Sequence, residues 1–99
     1  MITVNFYTTL RLYLKLGELH IDSIREISIR KLLSNIEEQV VEKTSKYFLF
    51  KLLDEKGTLK QGTIILINGK NILDSDGGGL DAGVKDGDTI ALFPPGGGG

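Results

Sequence analysis

The sequence predicts an α+β domain: a small mixed sheet with one main helix packed across one face. Three observations carry that expectation. Ile29, Leu32, Leu33, Ile36 and Val40 fall on one apolar stripe at helical spacing. Short stretches near both ends of the chain alternate in polarity or are rich in β-branched residues, as strands are. The length, 99 residues, fits one domain with one core; a chain of that size buries roughly 65% of its unfolded surface.

Ile2-Thr3-Val4-Asn5-Phe6-Tyr7 alternates, so Ile2, Val4 and Phe6 face the core while Thr3, Asn5 and Tyr7 face away. Leu19-His20-Ile21-Asp22 alternates again, and a turn signal at Gly17 within Arg11–Glu18 makes the pair a hairpin with a long loop. Ser28 is placed to cap the helix, because its hydroxyl can accept an orphan amide of the first turn. Arg30, Lys31, Glu37, Glu38 and Glu42 then form the solvated face. Residues 43–61 leave a choice between a short strand, suggested by Phe48, Phe50 and Leu52, and a helical turn over Tyr47–Leu53; Asp54–Gly57 is a turn either way. Thr63–Ile67 is the strongest strand, and Asn68-Gly69 after it is a hairpin turn. Asp74–Gly83 reads as a loop, Asp86-Gly87 as a turn and Asp88–Phe93 as the last strand.

Pro94 and Pro95 cannot donate to a ladder, so the sheet ends there. A right-handed crossover through the helix sets the first and last strands side by side in the middle. That is the single-domain β-grasp arrangement of ubiquitin, with residues 1–95 as the folded domain and 96–99 as a flexible glycine tail.

Composition narrows the function. With no cysteine there is no disulfide framework, CxxC zinc knuckle or thiol nucleophile, and a single histidine, His20, rules out multi-histidine metal sites. Twelve basic and thirteen acidic residues give a net charge of −1, which offers no basic field for nucleic acid or an anionic membrane. Apolar runs stop far short of the roughly 20 residues of a membrane span, and the N-terminus lacks the pattern of a signal peptide. A soluble cytoplasmic domain is expected.

Several loose motifs fail on chemistry. Gly77-Gly78-Gly79-Leu80-Asp81-Ala82 matches a phosphate-binding turn in form, but Asp74, Asp76 and Asp81 surround it with repelling charge and it opens no long helix. A flexible turn is the better reading. Asp74-Ser75-Asp76 would need a ligand at Gly78 and a glutamate at Lys85 to be a calcium loop. His20 lies on the polar phase of its strand, and no histidine partners a serine. No catalytic centre is expected in this chain.

The end of the chain is different. Pro94-Pro95-Gly96-Gly97-Gly98-Gly99 spans at most roughly 20 Å when extended, enough to thread a narrow cleft. The prolines stiffen the exit and the glycines remove every side chain that could block entry. The α-carboxylate of Gly99 is unhindered. It becomes an acyl donor only after conversion to a mixed anhydride, which an ATP-dependent adenylating partner would supply.

Asp86-Gly87-Asp88-Thr89-Ile90-Ala91-Leu92-Phe93-Pro94-Pro95 with a Gly-Gly end resembles the C-terminus of the molybdopterin-synthase small-subunit family. That family belongs with the thiamine sulfur carrier and the small archaeal modifier proteins among the ubiquitin-like β-grasp proteins. Ile65-Leu66-Ile67-Asn68-Gly69 is similar to the family's strand and turn before the final loop, and Ser28–Leu33 to its helix start. The resemblance implies a non-enzyme: a carrier whose Gly99 is adenylated by an E1-like enzyme and then forms a thiocarboxylate or an isopeptide bond with target lysines. It binds no cofactor itself; the partner uses the ATP. Gly96 and Gly97 stand where a bulkier pair is common, and residues 43–61 are long in the manner of archaeal members, which favours the modifier type. The alternatives are the small subunit of molybdopterin synthase, partnered by its large subunit, and a non-covalent β-grasp binding module.

A docking surface follows from strand parity. Tyr7, Leu66 and Phe93 fall on the open face of the sheet, an apolar patch beside the reactive end, with Gly96, Gly97 and Gly98 as the recognised tail and Gly99 as the attachment point.

Overall fold

The structure, a computed structural model, describes residues 1–23 and 25–96. The chain runs β1 (Ile2–Phe6), α1 (Thr8–Leu14), β2 (Glu18–Ile21), β3 (Ile27–Ser28), α2 (Ile29–Thr44), α3 (Leu49–Leu52), β4 (Ile64–Ile67), β5 (Lys70–Asn71), a 3₁₀ turn (Gly79–Asp81), β6 (Gly83–Val84) and β7 (Thr89–Phe93). Five strands form one sheet in the order β2-β1-β7-β4-β5, and β3 pairs with β6 apart from it. The first and last strands lie side by side and parallel at the centre, with Val4 opposite Ile90 and Phe6 opposite Leu92. This is the β-grasp architecture expected from the sequence.

Parity decides which residues make the core. Ile2, Val4 and Phe6 of β1, Leu19 and Ile21 of β2, Ile65 of β4 and Ile90 and Leu92 of β7 are all buried under α2. The helix presents Ile29, Leu32, Leu33, Ile36 and Val40 to them, all buried. Its start is fixed by Ser28, whose Oγ accepts the Lys31 amide at 3.1 Å. Its end is fixed by Ser45 in the left-handed region at φ 61°, whose amide donates to the Val41 carbonyl at 2.8 Å. Phe48 closes the core edge-on against Phe6, with ring centroids 5.8 Å apart at 84°.

Three expectations need correction or completion. The long hairpin loop between β1 and β2 is a helix: α1 buries Leu10 and Leu14, one turn apart, and leaves Leu12 75% exposed between them. The alternating Leu10, Leu12 and Leu14 hide that helical pair in the sequence. The undecided segment 43–61 contains the helical turn α3, with Leu52 buried, followed by the expected Asp54–Gly57 turn and a bridge between Leu53 and Leu59. The loop Asp74–Gly83 is more built than expected. It holds the 3₁₀ turn and contributes Gly83 to β6, whose partner β3 precedes α2.

Gly77 explains part of the glycine cluster. A Cβ there would lie 2.4 Å from the Ile72 carbonyl oxygen, so two backbones can meet only because no side chain intervenes. The hairpin turn Asn68-Gly69 has both residues at positive φ, 51° and 85°, as a type I′ turn requires.

Candidate functional site

Because β1 and β7 are parallel, the segments that follow them leave the same end of the sheet. Tyr7 follows β1, and its amide extends the ladder by donating to the Leu92 carbonyl at 3.1 Å. Phe93 ends β7. Their rings stack with centroids 4.5 Å apart at 9° on the face that α2 does not cover. Ile64 of β4 sits opposite Phe93 in the antiparallel register and is 40% exposed. The tail end of the open face is therefore a continuous row, Tyr7, Phe93 and Ile64.

Leu66 lies one row back, opposite Ala91 and half-buried. Of the three residues expected from sequence, the structure brings Tyr7 and Phe93 into direct contact and places Leu66 behind them. Ile64 has the parity of Leu66, and that parity was the signal for including it in the row. Arg11 adds a charge at the border: its guanidinium lies over Gly17, where a Cβ would be 3.0 Å from Cζ. Asn5, Tyr7, Arg11, Gly17 and Glu18 line a shallow depression there.

The exit of the chain is shaped by its neighbours. Pro94 is buried, Pro95 half-buried and Gly96 exposed. Beside them runs the turn Lys60–Thr63, closed by a bond from the Thr63 amide to the Lys60 carbonyl at 3.0 Å. Gly62 in that turn has φ 91°, and a Cβ on it would lie 3.4 Å from the Gly96 nitrogen and 3.5 Å from Pro95 Cα. A glycine thus serves both the turn conformation and the passage of the chain. Gly97, Gly98 and Gly99 lie outside the described residues.

His20 is on the surface, 2.8 Å from the Glu18 carboxylate. Among the described residues no three metal-ligating side chains converge. Among the described residues no helix is long and apolar enough to cross a membrane. The arrangement offers an apolar platform next to a guided chain exit, which is a means of docking and presenting a terminus.

The chain is similar to known proteins over almost its whole length. A model of the ThiS family matches residues 4–99. No curated protein sequence matches the chain. The crystal structure of SAMP1 from Haloferax volcanii is similar with a TM-score of 0.75 at 19% identity, over 99% of this chain and 98% of that one. A chain of the BexX/CysO complex from Amycolatopsis orientalis is similar with a TM-score of 0.71 at 23% identity, over 100% of both chains. The solution structure of small archaeal modifier protein 1 from Methanosarcina acetivorans gives 0.66 at 26% identity, over 99% of this chain and 95% of that one.

Proposed function

Since this chain belongs to the ThiS family, we propose that it is a ubiquitin-like modifier and sulfur carrier activated at the carboxyl group of Gly99 by an E1-like adenylating enzyme. The Gly99 carboxylate attacks the α-phosphorus of ATP, forming the acyl-adenylate and releasing pyrophosphate. Hydrosulfide delivered at that carbonyl expels AMP and leaves a thiocarboxylate. A partner thiol expels AMP instead to give a thioester, and a lysine amine then displaces the thiol to form an isopeptide bond. This chain contributes the acyl group and its docking; the nucleotide chemistry belongs to the partner.

One observation carries the reading. The central strand β7 ends at Phe93, in the aromatic stack with Tyr7, and the chain passes through Pro94 and Pro95 directly into the glycines. A partner that grips the open face therefore receives the glycine end in the same encounter. The small archaeal modifier protein among the similar structures supports the conjugation arm, and the BexX/CysO complex supports a carrier that works with a partner. The stretch Asp86–Pro95 also favours a second reading, the small subunit of molybdopterin synthase, in which the same terminus enters a large subunit.

Mass spectrometry of the natural chain distinguishes the outcomes. An oxygen-to-sulfur exchange at Gly99 identifies sulfur transfer, and branched Gly-Gly remnants on lysines of other proteins identify conjugation. Deleting Gly98 and Gly99 is expected to abolish both without moving the thermal midpoint. An unmodified terminus in the presence of ATP and the adenylating enzyme would leave a non-covalent binding module.

A further inference from the structure

At the end of the sheet where the chain exits, two lysines converge on one tyrosine. Lys46 Nζ lies 5.2 Å and Lys51 Nζ 4.3 Å from the centre of the Tyr13 ring. Lys51 is also 5.4 Å from the Phe50 ring. Lys46 donates to the Tyr13 carbonyl at 2.8 Å, and the Tyr13 hydroxyl donates to the Tyr47 carbonyl at 3.1 Å. Lys46 is thus fixed by a hydrogen bond, and Lys51 lies over two aromatic rings.

Two like charges on one ring repel unless a carboxylate stands near them. Among the described residues, neither lysine is in a salt bridge; the pairs formed are Met1–Asp86, His20–Glu18, Arg30–Asp81 and Lys70–Asp76. Glu37, which reaches the start of α3, has one oxygen committed to the amides of Phe48 and Leu49 at 3.0 and 2.9 Å. Among the described residues, the fold thus holds the two cations together with no carboxylate in ion-pair contact with either.

We propose that the Lys46–Tyr13–Lys51 clamp docks carboxylate side chains of the protein that receives the tail: an acidic segment on the rim of the activating enzyme's cleft. The proposal rests on the reading of Gly99 as the activated end. Position supports it, because α1 carries Tyr13 and follows β1 out of the sheet at the end where β7 releases the tail. Surface character supports a protein partner: Tyr47 and Phe50 are 63% and 56% exposed beside the charges, giving apolar contact around an ionic centre. A polyanion is disfavoured by the net charge of −1 and by Asp74, Asp76, Asp81 and Asp86 elsewhere on the surface.

The test measures association of the full-length chain with its adenylating enzyme across a range of salt. Lys51→Glu is expected to slow association about tenfold at low salt, with the gap closing as salt rises. Lys85→Glu makes the same change in net charge at the other end and is expected to leave association within twofold of wild type. Lys51→Met, which keeps the aliphatic stem, should act in the same sense and more weakly, and secures the result if the reversal disturbs folding. Equal effects of Lys51→Glu and Lys85→Glu, or none from Lys51→Glu, would overturn the proposal. So would Lys51-dependent binding to an RNA oligonucleotide or phosphatidylserine vesicles with enzyme association unchanged. Lys51-dependent association without adenylation of Gly99 would sink the carrier reading and leave the docking clamp standing.

Discussion

At the end of the sheet marked by Asn68 and Gly87, polar groups are paired with one another; at the end marked by Tyr7 and Pro94, aromatic rings stack and two cations share a ring. Asn68 donates to Asp88 at 2.9 Å and accepts the Thr89 amide at 2.9 Å, while the second Asp88 oxygen accepts the Lys85 amide at 2.9 Å. The amino terminus pairs with Asp86, and the Gly87 amide donates to the Met1 carbonyl at 3.0 Å. This end satisfies itself. The exit end keeps apolar rings and ammonium groups for an outside surface. The contrast separates stability from recognition within one small sheet, so substitutions at the two ends should fail differently.

The largest loss of stability is expected in the loop that follows β5. Gly77→Ala forces a Cβ against the Ile72 carbonyl and should cost about 3 kcal/mol, read as a lowered denaturation midpoint. Asp88→Ala comes next. Asp88 is 7% exposed, and its loss leaves the Lys85 and Asn68 amides without their acceptor, for about 2 kcal/mol.

The acid side sharpens that result. Burial opposes the Asp88 charge, but the Lys85 amide, the Asn68 amide and the Lys85 charge together hold the carboxyl below its ordinary 3.8. A depressed folded-state value means that the carboxylate stabilises fully above 3.8 and ceases to as pH falls through the folded-state value. Denaturation at descending pH should show that loss in wild type and not in Asp88→Asn.

At the exit end, Phe93→Asp removes the stack with Tyr7 and should cost only about 1 kcal/mol. Its larger effect is expected on adenylation by the partner, measured as ATP–pyrophosphate exchange; wild-type exchange rates would count against the open face as the docking surface. The smallest expected effect comes from a matched pair of glycines. Gly62 and Gly69 both sit at positive φ, but a Cβ on Gly62 meets Pro95 and Gly96 whereas one on Gly69 meets nothing within 4 Å. Asparagine tolerates such backbone. Gly62→Asn should therefore shift the Gly96 amide resonance and Gly69→Asn should leave it unmoved, with similar small losses of stability.

Legibility followed the range of the interactions. The α2 stripe, the Ser28 cap, the Asn68-Gly69 turn and the inward phase of β1, β4 and β7 were readable because each is set within a few residues. The same parity put Tyr7, Leu66 and Phe93 on one face, and Ile64 shares the parity of Leu66. α1 was missed because Leu10, Leu12 and Leu14 carry two patterns at once, and only burial of Leu10 and Leu14 in the assembled core selects the helix. The β3–β6 pair was missed because two residues on each side carry no periodicity.

The sequence by itself determined the fold class, the end of the sheet at Pro94 and the family resemblance, all of which rest on neighbours in the chain. The tertiary structure decided that Tyr7 stacks on Phe93, that Gly62 lines the chain's exit and that Lys46 and Lys51 meet on Tyr13. Those contacts join residues between 33 and 86 positions apart. Their geometry exists only once the parallel pairing of β1 with β7 has brought the C-terminal ends of both strands to one end of the sheet.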